Sequence, residues 1–146
     1  MKIVAQNRRA RFDYEMLESI EAGIILMGPE VKSCRAGQVS LAGAYVSFLG
    51  GKPMLKHATI AKYAYAASVA DYDPERDREL LLGKSQSIRL QSSVAEKGIS
   101  IIPLEVRAGK YIKVLLALAR GRKTIDKRQR IKEREMDRRI REGRET

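Results

Sequence analysis

The chain has 146 residues, of which 44% are hydrophobic, and it carries a net charge of +11 with an isoelectric point near 10.0. This length predicts one domain with a small core, and the basic charge predicts a polyanionic partner, either nucleic acid or an acidic membrane surface. One cysteine (Cys34) and one histidine (His57) exclude an internal disulfide and a His/Cys metal cage, and we expect no metal and no cofactor.

The first half of the chain predicts strands and one short helix. Residues 12–27 are predicted to form a strand because apolar and polar residues alternate and a short apolar run follows. The stretch "GPEVKSCRAG" predicts a helix, with Pro29 at its start, Gly37 at its end and Cys34 as a small buried residue. Residues 39–60 predict two strands joined by a Gly50-Gly51 turn.

The second half predicts a loop, a helix and a hairpin. Residues 61–79 form a long polar loop, in which Arg76 and Arg78 interleave with acids and predict a salt-bridged loop; the acids are Asp71, Asp73, Glu75 and Asp77. A helix is predicted from about Ser85 or Ser87. The residues predicted to share one side of it are Ile88, Gln91, Val94 and Ala95. Strands at 99–107 and 110–119 follow, joined by a tight turn.

Several antiparallel hairpins in so small a chain predict a closed or partly closed sheet, because open sheet edges invite aggregation. We therefore predict a mainly β fold, a small OB-type antiparallel barrel with two or three short helices. The barrel is predicted to span residues 1–119, and a basic tail is predicted to span residues 120–146. The tail holds 12 Lys+Arg and 6 Asp+Glu. It lacks a continuous apolar stripe but has acid–base pairs four residues apart, which predicts a tail disordered when free and helical when bound.

No catalytic constellation is recognisable in the sequence, so we do not expect an enzyme. His57 falls on a predicted strand, where a lone histidine is more often a hydrogen-bonded structural residue than a general base; a hydrolytic enzyme using His57 is the least favoured alternative. No apolar run approaches the ~20 residues of a membrane span, and the N-terminus lacks a secretory signal. We expect no membrane association and a cytoplasmic location.

Basic residues cluster at two places in the predicted barrel. The stretch "NRRAR" at residues 7–11 precedes the first predicted strand, and two more cations lie toward the end of the first predicted helix. Arginine binds phosphate through a planar fork of donors, and the low aromatic content favours recognition of a folded RNA over stacking on single-stranded bases. We predict phosphate contacts for Arg8, Arg9, Arg11, Lys32 and Arg35.

Four motifs, in order between residues 7 and 135, resemble the SsrA-binding protein family. They are "NRRARFDYEMLESIEAGIILMGPEVKSCRAG", "DPERDRELLL", "EKGISIIPLEV" and "ARGRKTIDKRQRIKERE". The resemblance implies an OB-fold monomer that binds the tRNA-like domain of transfer-messenger RNA and brings it to stalled ribosomes for trans-translation and nascent-peptide tagging. It also implies a tail in the decoding centre and empty mRNA channel, against 16S ribosomal RNA, and an indirect link to elongation factor Tu through the charged RNA.

Carried over position by position, the resemblance assigns RNA contacts to Asn7, Glu21 and Leu81. Glu21 cannot pair with phosphate, but it can accept a hydrogen bond from a base amino group; Leu81, taken alone, would be predicted to lie in the core. The tail residues that match the family's ribosome-binding segment are Gly121, Arg122, Lys123, Ile125, Asp126, Lys127, Arg128, Ile131, Lys132 and Arg134. Ile125 departs from the family's stacking His or Tyr, and Arg130 from a place that is often acidic.

A structural RNA-binding protein, such as a ribosomal protein with a basic extension, is the alternative. It shares the charge, the size and the absence of catalytic motifs. The ordered motifs favour the first interpretation.

Overall fold

A closed ring of antiparallel strands forms the centre of the structure. The structure, a computed structural model, describes residues 2–63 and 72–121, without the side chain of Arg11. In chain order the elements are β1 (Lys2–Gln6), α1 (Ala10–Asp13), β2 (Tyr14–Ile24), α2 (Gly28–Arg35), β3 (Val39–Ser40), β4 (Tyr45–Leu49), β5 (Lys52–Lys56), β6 (Thr59–Ile60), β7 (Arg78–Leu81), α3 (Lys84–Val94), β8 (Ile99–Ala108) and β9 (Ile112–Gly121). The ring runs β2–β9–β8–β4–β5–β7 and returns to β2, which confirms the predicted mainly β, OB-type barrel.

Three strands outside the ring complete the described sheets. β1 adds to the free edge of the second half of β8, and β3 pairs with β6 in a separate two-stranded ribbon. Among the described residues, no helix combines the length and the apolar character needed to cross a membrane.

The barrel interior is filled by the inward residues of the long β8–β9 hairpin. Ile101, Val106, Val114 and Leu116 are fully buried there, and they alternate with outward residues as the period of a strand requires. Leu90 of α3 and Cys34 of α2 extend the same core. Burial raises the pKa of the Cys34 thiol to about 11, so the thiol stays protonated, and the prediction of a small buried residue is confirmed.

A second apolar cluster lies on the outside of the barrel, under α1. Ala10 of α1 covers Ile102, Leu104 and Ala117 of the β8–β9 hairpin. A register shift in β2 between Met16 and Glu18 lets the start of that strand pack on this outer cluster, while its second half sends other residues into the core.

A buried ion-pair network joins α2 to the segment that leads into β7. Glu30 accepts a hydrogen bond from the Met27 N–H at 2.9 Å, as a helix-capping acid does, and it also binds Arg76 and Arg78. The Arg78 guanidinium donates to Glu30 at 2.8 Å, to the hydroxyl of Tyr72 at 3.1 Å and to three backbone carbonyls, those of Ala58, Arg76 and Pro74. The network therefore fixes β7 against the start of α2.

This network corrects the prediction of a loop salt-bridged to its own acids. Arg76 and Arg78 pair with Glu30 on α2. Asp73 instead accepts the Glu75 N–H at 2.9 Å, and Asp77 pairs with Lys56. Asp71 lies outside the described residues. The prediction of one continuous loop is also wrong at its end, because Arg78 begins β7.

Two further predictions about local structure were wrong. The buried residue of α3 is Leu90, and Ile88, predicted to lie on the packed side, is exposed. His57 follows β5 in a left-handed backbone conformation, with φ at +62°, rather than lying in a strand. β1 and α1 were not predicted. The residues of β3 and β6 fall within the two strands predicted for 39–60, but they form a separate two-stranded ribbon.

The Glu30 carboxyl gives the fold a specific acid sensitivity. Burial raises its pKa, but hydrogen bonds from Arg76, the Met27 N–H and Arg78 outweigh burial and lower the pKa from 4.5 to about 2. Because the folded-state pKa is below the unfolded-state pKa, the ionised carboxyl adds about 3 kcal/mol to the free energy of unfolding at neutral pH. This contribution is lost as the pH falls from about 5 to about 2. Urea unfolding across this range should show that loss, and Glu30→Gln should flatten it; equal pH dependence in both proteins would contradict the assignment.

Candidate RNA interface

Glu21 and Leu81 lie on one exposed face of the barrel, across β2 and β7. Ile20 and Ala22 point into the core, so Glu21 and Gly23 point outward, and Gly23 is paired with Leu81. A Cβ at position 23 would lie 3.2 Å from the Leu81 Cβ, so the glycine leaves room for this side chain. Leu81 is 55% exposed, which corrects its assignment to the core.

Cations lie beside Glu21 on the same face. Arg107 of β8 is paired with Lys113 of β9, and Lys113 is paired with Gly23 of β2. The Arg107 Nη1 is 3.5 Å from the Glu21 carboxylate, whereas its Nε donates to Glu105 at 2.7 Å. Sequence reasoning missed both cations, although the alternation along the β8–β9 hairpin places them on the outward side.

α2 continues the basic character at this end of the barrel. Lys32 and Arg35 are exposed on α2. The Arg35 Nη2 donates to the Lys110 carbonyl at 3.3 Å, in the turn between β8 and β9, and the Lys32 Nζ lies 5.6 Å from the centre of the Tyr63 ring. The structure therefore brings both predicted α2 cations near the end of β2 that carries Gly23.

The "NRRAR" segment lies beside β8, where β1 leads into α1. The Asn7 Nδ2 donates to the backbone carbonyls of Pro103 at 3.1 Å and Leu41 at 3.4 Å, so its amide protons hold the segment against β8. Arg8 is exposed, and Arg9 forms an exposed pair with Asp13 at 3.5 Å. β8 and β9 lie between this segment and Glu21, and Gln6, the residue before the segment, is in the same row of paired residues as Glu21.

Comparison with known proteins assigns the chain to a family. The profile of the SmpB protein family matches residues 4–145. The chain belongs to the SsrA-binding protein family. An SsrA-binding protein of Synechococcus sp. (strain JA-3-3Ab) is 45% identical over 141 residues, which cover 96% of this chain and 92% of the relative. An SsrA-binding protein of Thermus thermophilus is 48% identical over 130 residues, which cover 88% of this chain and 90% of the relative.

The fold is shared with a solved member of the SsrA-binding protein family. The chain superimposes with a TM-score of 0.68 and 48% identity on a chain described as "tmRNA-SmpB: a journey to the center of the bacterial ribosome". The match covers 82% of this chain and 84% of the solved one. Together with the family profile, it confirms the resemblance that the sequence motifs indicated.

Gly121 is where the described part of this SsrA-binding protein family member ends. It closes β9, is paired with Tyr14 of β2, and is exposed. β9 therefore continues two residues past the predicted barrel boundary at 119. The other predicted tail contacts, from Arg122 to Arg134, and the predicted change from disorder to helix lie outside the described residues.

Proposed function

We propose that this protein binds the tRNA-like domain of transfer-messenger RNA and delivers it to stalled ribosomes for trans-translation, which ends in tagging of the nascent peptide. The observation that carries the proposal is the family match over residues 4–145. The solved neighbour at 48% identity, described as tmRNA-SmpB in the bacterial ribosome, supports both partners. Because the ribosome is the site of action, we place the protein in the cytoplasm.

The Glu21–Leu81 face is the proposed RNA-recognition surface of the barrel. Glu21 is half exposed and has only a long contact to Arg107 at 3.5 Å, so its carboxylate can accept from a base amino group. Leu81, paired with Gly23 two residues along β2 from Glu21, offers an apolar contact for a second, exposed base. Lys32 and Arg35 of α2 supply cations for the adjacent phosphates, and Arg8 and Arg9 supply them beside α1. Arg11 is proposed to contact phosphate as well, and its side chain lies outside the described part of the structure.

Asn7 has a different proposed role from the one first assigned to it. Its amide protons are held by Pro103 and Leu41, so it positions the Arg8 and Arg9 backbone more than it reads a base. The protein performs no chemistry in this mechanism. It presents the RNA to the ribosome, elongation factor Tu is linked only through the charged RNA, and the tail, from Gly121 through Arg134, contacts the decoding centre and the mRNA channel.

Glu21→Ala should weaken binding to the tRNA-like domain while leaving the melting temperature nearly unchanged. The direction is diagnostic, because removing a negative charge from a surface that contacts phosphates strengthens a purely electrostatic complex. A weak exposed ion pair contributes little to folding, so stability should be retained. Isothermal titration and thermal melts provide the two measurements.

Glu15→Ala is the matched control for Glu21→Ala, since it removes the same charge from another exposed position of β2. It should leave binding unchanged or strengthen it slightly. Equal effects of the two substitutions, or unfolding of Glu21→Ala with binding intact, would contradict a specific contact at Glu21.

Binding should also weaken steeply as salt rises, because Lys and Arg displace condensed counterions from RNA. Each phosphate contact contributes about 0.7 to 0.9 to the log–log slope, so Lys32→Ala should reduce the slope by about that amount. Lys97→Ala removes an exposed lysine from the turn before β8 and should not change the slope. A slope that is flat in the unmodified protein would rule out an interface dominated by phosphate contacts.

A further inference from the structure

A groove beside β4 and α1 is lined mostly by residues to which the proposed function assigns no role, the exceptions being Asn7, Arg8 and Arg9. It has a volume of about 560 Å³ and runs between the segment around residues 7–14 and the segment at residues 39–46. Its apolar lining includes Leu41, Val46 and Ile101, which are buried in the barrel. The groove is large enough to take a nucleobase, and Gln6, Asn7 and Ser40 add polar groups to its lining.

The rim of the groove carries cations and an exposed aromatic ring. Arg8 and Arg9 line it on one side; Arg9 is paired there with Asp13, which also lines the groove. Tyr45 of β4 lines it on the other side and is 39% exposed. Arginine guanidinium groups bind phosphate, and an exposed tyrosine ring is a stacking surface for a base.

His57, which the sequence analysis left without a role, supports this ring. Its ring centre lies 5.4 Å from that of Tyr45, with 35° between the planes. The backbone of His57 is left-handed at φ +62°, a conformation that is uncommon for any residue other than glycine and that concentrates at functional sites. This conformation places the imidazole beside the solvent-exposed Tyr45 ring.

The groove is separate from the Glu21–Leu81 face. Tyr45 is on β4, which pairs with β8, while Glu21 is on β2, which pairs with β9. On this side of the ring, β8 and β9 lie between β4, which carries Tyr45, and β2, which carries Glu21.

We propose that the groove binds one unpaired RNA nucleotide, with its base against Tyr45 and its phosphates on Arg8 and Arg9. The charge of the rim favours a polyanion, and the apolar floor with one exposed aromatic ring favours an unstacked base over a duplex. The proposal deepens the proposed function, on which it rests for the identity of the partner as RNA. Transfer-messenger RNA and ribosomal RNA share this chemistry, and the experiment separates them.

His57 provides a direct probe of the groove. It is the only histidine in the chain, so its imidazole NMR signals can be assigned without ambiguity. Titration of the full chain with single-stranded hexa-adenylate at fixed pH should shift these signals saturably, and duplex RNA of the same length should not. Tyr45→Ala should weaken hexa-adenylate binding about tenfold, within the range for loss of one base–aromatic stack. Tyr45→Phe should bind like the unmodified chain, and Tyr45→Leu like Tyr45→Ala.

The matched control is Leu49→Ala, at the far end of β4 in the hairpin tip, where the side chain is 67% exposed. It should bind hexa-adenylate normally. An unshifted His57 signal, or equal binding by Tyr45→Ala and the unmodified chain, would overturn the proposal. Equal binding by Tyr45→Phe and Tyr45→Leu would overturn it as well, since the ring would then not be a stacking surface.

Two larger RNAs identify the source of the nucleotide. Tyr45→Ala should weaken binding either to the tRNA-like domain of transfer-messenger RNA or to the small ribosomal subunit. The RNA whose binding is weakened is the one that supplies the nucleotide. If Glu21→Ala weakens the first arm and Tyr45→Ala affects neither, this inference fails while the proposed function stands. If the unmodified chain binds neither RNA, the proposed function fails with it.

Discussion

Arg78→Met is expected to destabilise the fold by about 3–5 kcal/mol, the cost of breaking a buried ion pair by removing one partner. Arg78 is 0% exposed, and each of its guanidinium nitrogens donates within the described residues. Methionine fills similar space but leaves the Glu30 carboxylate with less compensation and removes one donor each from the Ala58 and Pro74 carbonyls, of which Pro74 keeps the Ile60 N–H at 2.9 Å. Urea unfolding followed by circular dichroism measures the loss.

Arg89→Met is the control for Arg78→Met. Arg89 also binds a carboxylate, that of Glu18 at 2.7 Å, but the pair joins α3 to β2 on the surface. Its loss should cost at most about 1 kcal/mol. The double variant Glu30→Gln/Arg78→Met should cost less than the sum of the two single variants, because each single change leaves a partner unpaired. Equal costs for Arg78→Met and Arg89→Met would contradict the structural role of the network.

Ending the chain after Gly121 should leave the affinity for the tRNA-like domain mostly intact and abolish peptide tagging. The barrel residues proposed to contact this RNA all precede Gly121. Apart from Gly121 itself, the proposed ribosome contacts follow it, in a stretch rich in Lys and Arg. Gel-shift titration and a reconstituted tagging reaction measure the two activities separately.

A full-length chain carrying Lys127→Ala and Arg128→Ala keeps the tail length while removing two proposed contacts. It should also retain RNA affinity and lose tagging, which would assign the effect to these side chains rather than to a missing tail. Equal loss of RNA affinity and tagging in the truncated chain would show that the tail belongs to the RNA site, contrary to the proposed division of labour.

Elements with local signals were predictable from the sequence. The β8–β9 hairpin has alternating apolar residues over two strands and a short turn, and α2 has Pro29 at its start and Glu30 in its first turn. β1 and β7 were missed because they are short and pair with strands that are distant in the chain. β1 has five residues and pairs with β8, and β7 has four residues and pairs with β5 and β2. Pairing of this kind leaves little trace in a short sequence window.

The candidate site was predictable only where the family motifs covered it. The sequence offered no way to see that Leu81 is exposed, because this depends on pairing with Gly23, 58 positions earlier in the chain. Likewise, the position of Glu30 in the first turn of α2 fits its role as a capping acid, but its ion pair with Arg78 spans 48 residues. The Tyr45 groove depends on three segments that only the closed barrel brings together.

Transfer-messenger RNA is the proposed preferred RNA partner of this protein. The most direct test is to purify the intact protein from a bacterial lysate and sequence the RNA that remains bound to it. We expect transfer-messenger RNA to be enriched far above ribosomal RNA. Equal recovery of the two RNAs would contradict it and would favour a structural RNA-binding protein with a basic extension.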